Sequence, residues 1–215
     1  MAAMADALST LGASFITFFS IVNPIGSALI FDRAAADLSR SARRRLAQHI
    51  ALLSGVIVVV ATVAGSDILH VLGIRLDALR VAGGLVLSAQ AWRLIGHAAA
   101  SGRHDGSVAA RGALVPLTMP LTIGPGTIAA AISLSAAAAA SPHALVHLGA
   151  VLLAALLLTA LIAVTYGNAS RVVDLLGKNG SCAAVQLSAF VLLCIATEMV
   201  LQGLRNALSP DSGPA

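Results

Sequence analysis

Two short motifs set polar and backbone-distorting residues into apolar surroundings. One is Ser20-Ile21-Val22-Asn23-Pro24-Ile25-Gly26-Ser27, and the other is Leu121-Thr122-Ile123-Gly124-Pro125-Gly126-Thr127. Proline inside a helix removes an N–H and clashes with the carbonyl four residues back. Pro24 is therefore expected to free the Ser20 carbonyl, Pro125 that of Leu121, and Pro120 that of Pro116. Ser20, Asn23 and Ser27 recur at i, i+3 and i+7, and Thr118 and Thr122 at i and i+4, so each set shares a helix face. A helix broken at such a point presents two ends. The N-terminal end of the second half offers N–H groups to an anion, and the C-terminal end of the first half offers carbonyls to a cation. A zwitterion uses both. The donors would be amides near Gly26, Ser27, Gly126 and Thr127, with carbonyls near Val22, Asn23, Thr122 and Ile123 opposite them. The glycines let backbone approach closely, which leaves room for a small side chain only. A single proline in a membrane helix is ordinarily a bend; two matched motifs point to a binding site.

Other chemistry is thinly represented. Glu198 is the one acid deep in an apolar stretch, and intramembrane carboxylates are costly and functional by default. It lies six residues from the end of its stretch, roughly 9 Å along a helix. It reads as a coupling residue, or as a side chain that reaches the interface or pairs with Arg80. Gly83 and Gly84 read as helix-packing positions. The histidines lack ligand spacing, so no metal site is expected. Cys182 and Cys194 read as small packing residues. No nucleophile–base pair, phosphate-binding loop or dinucleotide motif occurs, so neither an enzyme nor a cofactor is expected. Aromatics make up 3% of the chain, too few for a base-stacking platform, and nucleic acid is not an expected partner.

The elements that carry these motifs follow from composition. Of 215 residues 58% are apolar and 10% charged, against about 25% charged in soluble domains. The solvent for most side chains must be lipid. A transmembrane helix needs about 20 apolar residues, which predicts six spans: 7–31, 46–66, 73–97, 113–139, 143–166 and 182–204. The first apolar stretch is too long for a cleaved signal peptide and lacks a basic leader. Arg33, Arg40, Arg43, Arg44, Arg45, Arg93, Arg103, Arg111, Arg171 and Lys178 fall in alternate loops. Since cytoplasmic loops hold the basic excess, both termini are expected outside. Arg75, Arg80 and Arg205 then lie on the outer side.

Three spans on each side of a polar segment suggest a duplication. Pro24 and Pro125 fall mid-span in the first and fourth spans, and Arg80-Val81-Ala82-Gly83-Gly84 in the third matches Gln186-Leu187-Ser188-Ala189 in the sixth. An odd number of spans per half forces opposite orientations, the arrangement of many secondary transporters. The expectation is an all-α polytopic membrane protein. Residues 1–97 form one three-helix repeat, 98–112 a cytoplasmic loop, and 113–215 the inverted second repeat and tail, with the first and fourth spans broken.

The segments "FFSIVNPIGSALIF", "LGIRLDALRVAGGLVL", "PLTMPLTIGPGTIAAAI" and "LLGKNGSCAAVQLSAFVLLCIATEMVLQGL" resemble the MarC-type integral membrane proteins across nearly the whole chain. The family often has Arg at the position of Gln186 and Gln at that of Glu198. The resemblance implies six spans, kinship with lysine-exporter-like transporters, and in some relatives transport of glycine and alanine.

The reading is a secondary transporter of small neutral amino acids in the bacterial inner membrane. Its partners would be a small zwitterionic substrate and the lipid bilayer, with H⁺ or Na⁺ as candidate coupling ions. The expected substrate-binding set is Ser20, Asn23, Pro24, Gly26, Ser27, Thr118, Thr122, Gly124, Pro125, Gly126 and Thr127, with Glu198 for coupling. The rivals are a non-transporting scaffold or partner subunit, whose breaks would be sealed by packing, and an exporter of another small metabolite or drug.

Overall fold

The computed structural model describes residues 2–99 and 123–208. Seven helices account for almost all of them: α1 (Ala2–Val22), α2 (Pro24–Ala34), α3 (Arg40–Val71), α4 (Leu76–Ala99), α5 (Pro125–Ala139), α6 (Ala144–Gly167) and α7 (Ala169–Leu208). There is no strand among the described residues.

Four segments are long and apolar enough to cross a membrane: Met4–Ala28, Arg40–Val71, Ala144–Gly167 and Ala183–Leu208. They correspond to the expected first, second, fifth and sixth spans. The 24 residues of α4 are also long enough, at about 36 Å, but Asp77, Arg80 and Arg93 make this helix less apolar. Of the expected fourth span only α5, with 15 residues, is described; Pro116, Thr118, Pro120, Leu121 and Thr122 lie outside the described residues.

Two expected loops are helical instead. Arg40, Arg43, Arg44 and Arg45 form the first turns of α3, which Ser39 caps by accepting the Ala42 N–H at 3.3 Å. Side-chain capping satisfies an amide that the first turn leaves open, so the helix starts in the basic segment and not after it. Arg171 and Asp174 belong to α7, which continues past them and bends at Gly177 (φ 62°, ψ 178°). That conformation is open to glycine and costly for other residues.

The packing relies heavily on small residues. The inner face of α3 carries Ala47, Ala51, Ser54, Gly55, Ala61, Thr62 and Gly65, with Ile50, Val58 and Leu69 between them. Leu52, Val56, Val60 and Val63 point outward. Lipid tails are as apolar as leucine, so helices in a bilayer gain from close backbone approach across small residues. A Cβ on Gly84 would stand 2.7 Å from the Ala196 carbonyl oxygen, and one on Gly203 2.8 Å from that of Asp77. These two glycines make α4 and α7 the most extensively paired helices. Elsewhere α1 packs on α6, α3 on α5 and α6, α4 on α5, and α2 on α7. Cys194, expected inside, lies on the exposed face of α7.

Candidate functional site

Asn23 separates α1 from α2. It adopts a left-handed backbone, φ 46°, and is the one non-glycine residue with positive φ among those described. Asparagine tolerates this conformation better than other chiral residues. Pro24 is then the first residue of α2, where its missing N–H costs nothing and its fixed φ suits the helix. The proline thus starts a helix and does not interrupt one.

The break is closed on both sides. The Gly26 N–H donates to Asn23 Oδ1 at 3.1 Å, and the Ser27 hydroxyl donates to the Val22 carbonyl at 3.0 Å. A Cβ on Gly26 would run into the Asn23 amide, so glycine is needed for this contact. Asn23 and Ser27 are buried at 7% and 6% exposure, as are Pro24 and Gly26, while Ser20 is half-buried.

The second motif builds the same feature with different parts. Gly124 caps α5 with extended backbone (φ −94°, ψ 173°), and Pro125 is its first residue. The Thr127 N–H turns back to the Gly124 carbonyl at 3.0 Å. Glycine has no side chain to bond the first amides, so this end lacks the cap that Asn23 gives α2. Gly124, Gly126 and Thr127 are buried and Pro125 is exposed. The Gln90 amide covers Gly124, where a Cβ would stand 2.8 Å from Nε2. Gly126 lies directly beneath the Leu87 side chain, so its role is close packing against α4. Thr118 and Thr122 lie outside the described residues.

The two motifs occupy the same level of the bundle. Thr10 bonds His147 at 2.7 Å and Phe31 stacks on Tyr166, which puts Asn23 level with Thr159. Thr159 meets Gly55 of α3. Gly65 of α3 meets Ile132, and Gly124 is eight residues before Ile132, so Gly124 is level with Ile57. The offset between Gly55 and Ile57 is about 3 Å. Val22 and Ile123 belong to one buried apolar cluster, while Ile21 joins Leu87 and Ala129 in another. Those apolar residues fill the space beside the motifs.

Ser54, next to Gly55, is at this level too. Its hydroxyl is buried with no partner among the described residues, as is that of Ser14. Sequence reasoning missed Ser54 and Gln90. The available signal was a polar side chain inside an apolar run, shared with Thr62 in α3 and Ser88 in α4.

Glu198 stands apart. It is exposed and accepts a bond from Gln202 at 3.0 Å. Arg80 pairs with Asp77 at 3.8 Å and donates to Ser133 at 3.3 Å. Pairing with Arg80, one of the alternatives for Glu198, is not made; Arg80 takes these contacts instead. No group of three metal-ligating side chains occurs among the described residues.

A sequence model described as "MarC family integral membrane protein" matches residues 8–208. A Citrobacter koseri protein named as inner membrane protein MarC is 27% identical, over 94% of this chain and 96% of its own length. An Archaeoglobus fulgidus membrane protein is 29% identical over 95% and 97%, and one from Bacillus subtilis 29% over 89% and 92%. No solved structure matches the chain at a significant level.

Proposed function

Because this multi-pass chain belongs to the MarC family of integral membrane proteins, we propose that it is a secondary transporter of small neutral amino acids such as glycine and alanine. The observation that carries this reading is the pair of proline-started half-helices, α2 and α5, beginning at one level deep in the bundle. Buried polar groups in a bilayer are expensive unless engaged. The uncapped start of α5 suits a carboxylate, and carbonyls at the end of α1 suit an ammonium. Ser54 and Gln90 join Asn23, Ser27 and Thr127 around that level. Tight glycine packing limits the substrate to a small side chain. The chain acts without a cofactor and is a carrier, not an enzyme, with H⁺ or Na⁺ as candidate coupling ions.

An inverted repeat is part of the proposal. Exchanging the two halves turns the α2–α6 contact into α5–α3 and the α2–α7 contact into α5–α4, and all four are present. The basic residues favour both termini outside, and the Citrobacter relative is named for the inner membrane.

One observation favours a second reading, a non-transporting membrane component: the first break is closed by its own side chains. Thermal unfolding of the purified protein in detergent separates the two. Glycine or alanine at about 100 times its Kd should stabilise a carrier by about 2.7 kcal/mol, with no effect from leucine or glutamate. A scaffold responds to none of them.

A further inference from the structure

Asp32 and Ser133 share a position in the repeat. Each lies eight residues beyond the proline that starts its half-helix, Pro24 for α2 and Pro125 for α5. Each is held by an arginine from a neighbouring helix. Arg43 of α3 pairs with the Asp32 carboxylate and bonds the Asp32 carbonyl at 3.0 Å. Arg80 of α4 donates to Ser133 at 3.3 Å. The two contacts are at opposite ends of the bundle. Ser133 adjoins Ile132, which meets Gly65, and from Arg43 to Gly65 along α3 is about 33 Å. That distance is close to the thickness of a bilayer's hydrocarbon core.

The contacts differ in strength. Arg43 also donates to Ser170 of α7 at 2.9 Å and sits over the Phe31 ring at 5.9 Å, and Phe31 stacks on Tyr166 of α6 at 5.0 Å. Thus α2, α3, α6 and α7 are all joined around one half-buried guanidinium. At the other end the bond to Ser133 is to a neutral hydroxyl, and Arg80 is shared with Asp77. Both bonds have an ionised donor, but only Asp32 sets an opposite charge against its arginine, so the Arg43 contact adds an ion-pair attraction that the bond to Ser133 lacks.

We propose that Asp32–Arg43 and Ser133–Arg80 are latches on the ends of the two half-helices, and that their inequality biases the protein to stay shut at the Arg43 end and to open first at the Arg80 end. This rests on the transporter reading for its purpose, but the bias itself is measurable without any substrate.

The experiment replaces Cys182 and Cys194 with serine and adds one reporter, Ala28→Cys in α2 or Ser135→Cys in α5, both buried positions. Labelling by a membrane-impermeant maleimide is timed in membranes of each orientation. Ser135 lies two residues beyond its latch and Ala28 four residues inside its own, so each rate is compared with that of the same reporter beside the unaltered latch. Asp32→Asn should raise labelling at 28 by about tenfold, from the Arg43 side only, and Ser133→Asp should lower labelling at 135. The exchange of Asp32→Arg with Arg43→Asp should return labelling at 28 toward its starting rate, which excludes general loosening. Unchanged labelling at 28 in folded Asp32→Asn, or an equal rise at both reporters, overturns the proposal. If the labelling follows the expectation while glycine and alanine are not carried, the latches stand and the substrate reading fails.

Discussion

The side-chain oxygen of Asn23 accepts the Gly26 N–H at 3.1 Å, while the Asn23 backbone holds a left-handed φ of 46°. One residue therefore ends α1 with its backbone and caps α2 with its side chain. Asn23→Ala loses the cap, about 1 kcal/mol, and adds the left-handed penalty of about 1–2 kcal/mol. Asn23→Gly loses the cap but removes the backbone cost. Thermal unfolding in detergent should rank wild type above glycine and glycine above alanine. A glycine variant less stable than the alanine variant would contradict this account of the break.

Gly84 and Gly149 make a matched comparison. A Cβ on Gly84 would stand 2.6 Å from Val200 Cγ2 and 2.7 Å from a backbone oxygen, whereas one on Gly149 meets nothing within 4 Å. Gly84→Ala should lower the unfolding temperature by several degrees, as overpacking of about 1–3 kcal/mol does. Gly149→Ala should leave it unchanged or raise it, since alanine favours helix by about 1 kcal/mol. Circular dichroism melts of the two variants make the comparison.

Glu198 is exposed on α7, bonded within its own helix to Gln202. Glu198→Gln preserves that bond's geometry, and substrate uptake should stay within about twofold of wild type, as for other exposed substitutions. Complete loss of uptake by a folded Glu198→Gln protein would make this carboxylate a coupling site after all.

Much of this was legible in the sequence because it rests on local rules. Apolar run length located the helices, and Asn-Pro and Gly-Pro marked the half-helix starts, since proline is tolerated at a first turn and not within one. What escaped was set by tertiary contact. Nothing local says that Arg43 reaches Asp32 and Ser170, that Gln90 covers Gly124, or that Gly126 lies beneath Leu87. The face shared by Ser20, Asn23 and Ser27 assumed a continuous helix, and the left-handed turn at Asn23 separates Ser20 from the other two. The basic segment at Arg40–Arg45 has the charge of a loop, but Ser39 caps it and it folds as the first turns of α3.

The central claim, that this protein carries small neutral amino acids through a site at the two half-helix starts, is tested most directly by uptake of labelled glycine and alanine into proteoliposomes. Gly124→Ala is the decisive variant, because among the described residues the atoms nearest its new methyl group belong to the movable end of Gln90, and the packing at Gly126 is left intact. The account predicts saturable uptake by wild type and a loss of about tenfold or more in a folded Gly124→Ala protein, since a misplaced contact at a close-fitting site is worth at least 1.4 kcal/mol. Uptake no greater than in empty liposomes, or equal uptake by the two proteins, would contradict it.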